Sequence, residues 1–120
     1  MVAADSGAAA GAQATCRPWP AGPLDAASVE QMAVKLKALA DPVRLRLLSH
    51  IAARGSDPVC ACELLDVVEV SQPTVSHHLK KLVDAGLLTR EQRGKWAHYT
   101  VVREAFGELR GFLDLRGVGT

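Results

Sequence analysis

The chain has 120 residues, enough for one domain with a modest core, and its hydrophobic fraction of 48% and charged fraction of 22% are ordinary for a globular protein. A formal net charge of +1 excludes a polycation, so any nucleic-acid surface must arise from local clustering. No run approaches the roughly 20 apolar residues of a membrane span, and three cysteines, an odd number, argue against a structural disulfide framework.

Residues 1–24 are rich in Ala, Gly and Pro and have few large side chains to offset the entropy of ordering. They read as a flexible arm carrying Cys16. The arm has no basic leader followed by large apolar residues, so it is not expected to be a secretion signal, and the expected compartment is the cytoplasm. Residues 25–116 read as one folded domain.

Within that domain, Val29, Met32, Ala33, Leu36 and Ala40 recur at helical spacing after Asp25. Asp41-Pro42 interrupts the pattern, because proline disfavours helix just before itself and suits a new helix's first turn. A second helix carries Val43, Leu47, Leu48 and Ile51 inward and ends near Gly55. A third, short helix starts between Pro58 and Cys62 and carries Leu64, Leu65 and Val68.

After a turn at Glu69-Val70, Ser71 is a good N-cap for a helix over residues 72–85, which Gly86 stops. Residues 87–90 and 96–101 read as strands flanking a hairpin tip at Gln92-Arg93-Gly94-Lys95. A last helix places Val102, Ala105, Phe106, Leu109, Phe112 and Leu113 on one stripe. One small domain has too little core to hide the stripes of both the first and the last helix, which points to a dimer.

Two short helices joined by a tight turn, followed by a basic hairpin, make a winged helix-turn-helix. The expected fold is therefore α+β and mostly helical, with a two-stranded β-hairpin wing. The second helix of the motif should enter the major groove of double-stranded DNA. Val75, Leu79 and Leu82 face the core, and His78 leans with them. Ser71, Gln72, Thr74, Ser76, His77 and Lys80 are candidates for DNA contact, with Arg93 and Lys95 of the wing near the backbone. Between Ser71 and Trp96, five cations face two anions, a local positive excess in a nearly neutral chain.

The stretches Ala40-Asp41-Pro42-Val43-Arg44-Leu45-Arg46-Leu47-Leu48, Ser71-Gln72-Pro73-Thr74-Val75-Ser76-His77-His78-Leu79 and Ala85-Gly86-Leu87-Leu88 closely resemble the ArsR/SmtB repressors. The resemblance covers about residues 30–105. It implies a homodimer that represses a metal-resistance or efflux operon and leaves its operator when an inducer binds. It also implies that the first and last helices form the dimer.

Cys60-Ala61-Cys62 resembles the Cys-x-Cys of the family's arsenic, antimony, cadmium and lead sensors. In a regular helix, residues two apart point to nearly opposite sides. A helix starting at Asp57-Pro58 would therefore separate the thiols, whereas a start near Cys60 would let them converge. A helix N-terminus would also favour the thiolates. Cys16 is the remaining cysteine. About nine residues of chain, reaching roughly 30 Å when extended, could bring it to its own site or to its partner's.

Three thiolates from Cys16, Cys60 and Cys62 suit trigonal-pyramidal arsenic(III) or antimony(III), with cadmium(II) and lead(II) as alternatives. Zinc would want a fourth ligand such as His50 or water. The family's other zinc site is not expected, because residues 103–115 contain no histidine. No cofactor is required. Thiol oxidation or persulfide sensing by the same DNA-binding module is the second reading. An enzyme is not expected, since no glycine-rich phosphate loop or nucleophile-bearing strand-turn-helix is present.

Overall fold

A computed structural model describes residues 23–114, in the order α1 (Ala26–Leu39), α2 (Pro42–Ala53), β1 (Val59–Cys60), α3 (Ala61–Leu64), α4 (Gln72–Asp84), β2 (Leu88–Arg93), β3 (Trp96–Val101) and α5 (Arg103–Leu113). The arm expected to carry Cys16 lies almost wholly outside the described residues, and Cys16 itself lies outside them.

Side chains close the helix ends that the sequence marks. Asp25 accepts from the Ser28 amide at 2.8 Å, and Asp41 accepts from the Arg44 amide at 3.3 Å with Pro42 in the first turn of α2. Ser71 caps α4 in the same way. At the other end of α4, Leu87 N donates to Leu82 O at 3.0 Å and Gly86 N donates to Val83 O at 2.9 Å. These two bonds make a Schellman motif around Gly86, whose φ of 80° a side chain would resist.

The core is one cluster. Leu47 and Ile51 of α2, Val59, Leu64, Val75, Leu79 and Leu82 of α4, and Leu87 and Leu88 are all essentially excluded from solvent. Burying each such side chain contributes about 1.5–3 kcal/mol relative to exposure, which fixes α3 and α4 against α2 and the sheet.

The expected two-stranded hairpin wing forms from β2 and β3, and a further strand, β1, extends the sheet in the antiparallel order β1-β3-β2. The added strand is only two residues long, too short to carry a period, and pairs Val59 with Tyr99 and Cys60 with His98. Next, α3 ends at Leu64 and does not run on to Val68. The chain continues in tight turns, Asp66 N to Glu63 O and Val67 N to Leu64 O, because Val67, Val68 and Val70 are β-branched and poor in helix. Val68 is buried all the same.

The hairpin tip is also shorter than expected: β2 runs through Gln92 and Arg93, leaving Gly94 and Lys95 as the turn. A glycine with φ of 64° followed by a residue without positive φ is the pattern of a type II′ turn, which matches the strand twist.

The stripes of α1 and α5 are only partly covered. Ala105 and Leu109 of the α5 stripe are buried, while Val29 of the α1 stripe and Leu113 of the α5 stripe remain about half exposed or more. Ala40, expected on the inner stripe, is an exposed cap residue.

Candidate nucleic-acid interface and thiol centre

Buried Val75, Leu79 and Leu82 set the orientation of α4 and turn Gln72, Ser76, His77 and Lys80 outward. Ser71 and Thr74 serve the helix itself. The Ser71 hydroxyl accepts from the Thr74 amide at 3.4 Å and lies 2.9 Å from the Thr74 hydroxyl. His78 is largely buried, with its side chain 14% exposed.

Between α4 and the hairpin lies a groove of about 740 Å³, lined by Gln72, Ser76, Lys80, Arg90, Lys95 and Trp96 among others. Arg90 and Trp96 belong to this surface although the sequence did not single them out as contacts. Arg90 shares a face of the hairpin with Gln92, Ala97 and Tyr99 by the strand register, and Trp96 borders the groove beside the turn.

Cations of α4 and the hairpin are partly neutralised within the chain. Lys80 Nζ meets Asp84 Oδ2 at 2.8 Å, and Arg93 reaches Glu91 Oε1 through Nη2 at 3.0 Å and Nε at 3.2 Å. In water such exposed pairs contribute little to stability, so a phosphate can displace the carboxylates.

The thiol centre lies at the junction of β1 and α3. Cys60 is extended, with φ −67° and ψ 137°, and acts as the N-cap of α3, its Sγ accepting from the Cys62 amide at 3.1 Å. The helix thus starts at Ala61, the late start that lets the two side chains converge. Their sulfurs are joined as a disulfide, with Cα atoms 5.2 Å apart. A bond spanning one intervening residue closes too small a loop to staple a fold, so it marks proximity of the sulfurs and no framework. With only four residues, α3 also has too little dipole to act strongly on them.

Around this pair, Glu63 ties α3 to the end of α2. Its Oε2 meets His50 Nε2 at 2.7 Å and the Arg54 guanidinium. The His50 hydrogen bond, followed by that of Arg54, holds the Glu63 carboxyl below its ordinary range. His50, considered above as a fourth zinc ligand, therefore has its Nε2 engaged. Across the sheet from Cys60, His98 has a buried Nδ1 with no hydrogen-bond partner among the described residues. Also among the described residues, no group of three or more His, Cys, Asp or Glu side chains is arranged to hold a metal ion. The two sulfurs offer a soft donor pair that needs a donor from elsewhere.

A family profile described as a helix-turn-helix domain matches residues 39–91. The arsenical resistance operon repressor of Bacillus subtilis is 42% identical over 80 residues, covering 67% of this chain and 71% of that protein. The chain belongs to the ArsR/SmtB family. As an ArsR/SmtB protein it is a DNA-binding transcriptional repressor and not an enzyme. The arsenical resistance operon repressor of Staphylococcus xylosus is 36% identical over 88 residues, covering 73% of this chain and 82% of that protein. Among solved structures, a homodimeric winged helix-turn-helix DNA-binding domain from Mycobacterium bovis matches with a TM-score of 0.62 at 26% identity, covering 79% of this chain and 87% of that one. The winged helix-turn-helix fold of this ArsR/SmtB chain is therefore that of its structural neighbours.

Proposed function

We propose that this ArsR/SmtB repressor holds operator DNA as a homodimer and releases it when arsenite or antimonite is captured by Cys60 and Cys62 together with Cys16. The carrying observation is the convergence of the Cys60 and Cys62 sulfurs at the tip of α3, a short way before the turn into α4. The names of the Bacillus and Staphylococcus relatives, both arsenical resistance operon repressors, support the choice of inducer.

On DNA, α4 lies in the major groove, with Gln72, Ser76 and His77 at base edges and Ser71 and Thr74 at the helix tip. Lys80, Arg93 and Lys95 face phosphates. The exposed Val29 of α1 and Leu113 of α5 support the dimer, since an uncovered apolar stripe on each copy can be buried against the other. No helix among the described residues is long and apolar enough to cross a membrane, and the repressor works in the cytoplasm.

Capture requires the reduced pair. Two cellular thiols open the disulfide by exchange, supplying two electrons and two protons and leaving as their own disulfide. Arsenous acid then condenses with three thiols, releasing three waters and leaving arsenic bound to three sulfurs. Drawing the sulfurs onto one atom resets the first turn of α3. That turn is tied to α2 through Glu63, and its Leu64 shares the core with Val75 and Leu79 of α4. A coupling of about 1–3 kcal/mol is typical for such linkage.

The test is a fluorescence titration of a protein–operator complex with arsenite, which should release the DNA. Cys60→Ser or Cys62→Ser responding like the parent would refute the site. Cadmium(II) and lead(II) run as parallel titrants report the preference among soft ions.

The Cys60–Cys62 disulfide favours a second reading, a thiol-oxidation sensor. Release of DNA by peroxide, reversed by dithiothreitol and unaffected by arsenite, would establish it in place of the first.

A further inference from the structure

Arg44 sits in the first turn of α2, yet its side chain serves two other helices. Its Nε donates to Ala38 O at 2.6 Å and its Nη2 to Lys37 O at 3.3 Å, closing the carbonyl end of α1. Its Nη1 lies 3.2 Å from Nδ1 of His78, in the middle of α4 and 34 residues away. Asp41, which caps α2 through the Arg44 amide, brings Oδ2 to 3.7 Å from the same His78 nitrogen. A guanidinium only donates, so His78 receives the bond at a bare Nδ1 and carries its proton on Nε2.

The other anchors of α4 are Val75, Leu79 and Leu82, whose apolar packing is not directional. Apolar packing selects which face of the helix is turned inward, and a directional bond narrows the rotation of tens of degrees that remains about its axis. A rotation of about 20° would carry side-chain tips at a helix radius of about 5–6 Å sideways by about 2 Å. Hydrogen bonds to base edges do not survive such a shift. Phosphate attraction does, because it depends on charge and carries no sequence information.

We propose that Arg44 is a positioning residue for sequence readout: by holding His78 against the α1–α2 corner it fixes the rotation of α4, so that Gln72, Ser76 and His77 present to the bases in register. The proposal rests on α4 being the DNA-reading helix. It separates the roles of two adjacent histidines, His77 exposed toward the DNA and His78 turned inward as the pin. Arg44 is itself half-buried and already engaged, so it is not a phosphate contact.

The experiment starts from a duplex that the full-length protein selects from a random library, with a scrambled duplex of equal length as control. Affinities for both are measured for the parent, Arg44→Gln, His78→Leu and His78→Asn. Asparagine keeps an acceptor where Nδ1 stands, and leucine removes it. The expected result is a loss of roughly tenfold to a hundredfold for the selected duplex in Arg44→Gln and His78→Leu, the range for spoiling one bidentate base-edge contact. Scrambled-duplex affinity and the salt slope should stay at parent values, and His78→Asn should retain most of the selected-duplex affinity. A general folding defect would lower both affinities together.

If Arg44→Gln does not fold, His78→Leu against His78→Asn gives the same reading. The proposal is overturned if both removals keep the parent's ratio of selected to scrambled affinity, or if Arg44→Gln lowers the salt slope as a lost phosphate contact would. A parent that selects no sequence overturns the DNA-reading assignment of α4, and the positioning role with it.

Discussion

Glu63 and His50 meet through Oε2 and Nε2 at 2.7 Å, joining the four-residue α3 to the last turn of α2 immediately beside Cys62. Arg54 shares the same carboxylate oxygen. The thiol tip is thus tethered to a helix that contributes Leu47, Leu48 and Ile51 to the core.

That tether has a pH signature. The pKa of Glu63 is lowered in the folded chain, chiefly by the His50 hydrogen bond and next by that of Arg54. A depressed carboxyl contributes stability that is fully present above its unfolded pKa and is lost as pH falls through the folded value. Glu63→Gln should therefore lower Tm near neutrality and lose that difference in acid. Melting curves across the acid range check this. A difference that is constant with pH would show that the carboxylate's ionisation is not involved.

The wing should bind phosphate more tightly once its own carboxylate is removed. Glu91 occupies Arg93 through two contacts, so Glu91→Gln should raise DNA affinity with little change in sequence preference. Lys95→Ala should weaken selected and scrambled duplexes alike and reduce the salt slope by about one. Binding isotherms at several salt concentrations read both effects.

Gly86 tests the end of α4. A Cβ added there would meet no atom within 4 Å, so any cost of Gly86→Ala comes from its φ of 80°. The expected destabilisation is about 1–2 kcal/mol, read by urea unfolding. An unchanged midpoint would mean that the helix end relaxes into another conformation.

The uncovered apolar stripe predicts an interface. Val29→Glu on α1 and Leu113→Glu on α5 should each weaken self-association, measured by sedimentation, without lowering the helix content of the monomer. Both positions are about half exposed or more in the isolated chain, so a charge there costs the fold little.

Much of this was readable before folding. Asp25, Asp41-Pro42, Ser71 and Gly86 announce the helix ends because capping chemistry is local. The inward set Val75, Leu79 and Leu82 follows from helical period alone. The strand Val59–Cys60 was not readable, because its two residues gain their character only by pairing with Tyr99 and His98. Nor was the end of α3, where β-branched residues win over a pattern that still buries Val68. Arg44 looks like one more solvated cation of α2. Its reach to His78 depends on how α1, α2 and α4 cross, which no local window contains. The convergence of Cys60 and Cys62 depended on where one helix starts, and spacing left two starts open.

The sulfur site is tested most directly by X-ray absorption at the arsenic edge on the reduced, full-length repressor loaded with one equivalent of arsenite. The account predicts a first shell of three sulfurs, falling to two in Cys16→Ser and losing sulfur again in Cys60→Ser or Cys62→Ser. A shell of oxygen alone, or one indifferent to Cys60 and Cys62, would contradict it.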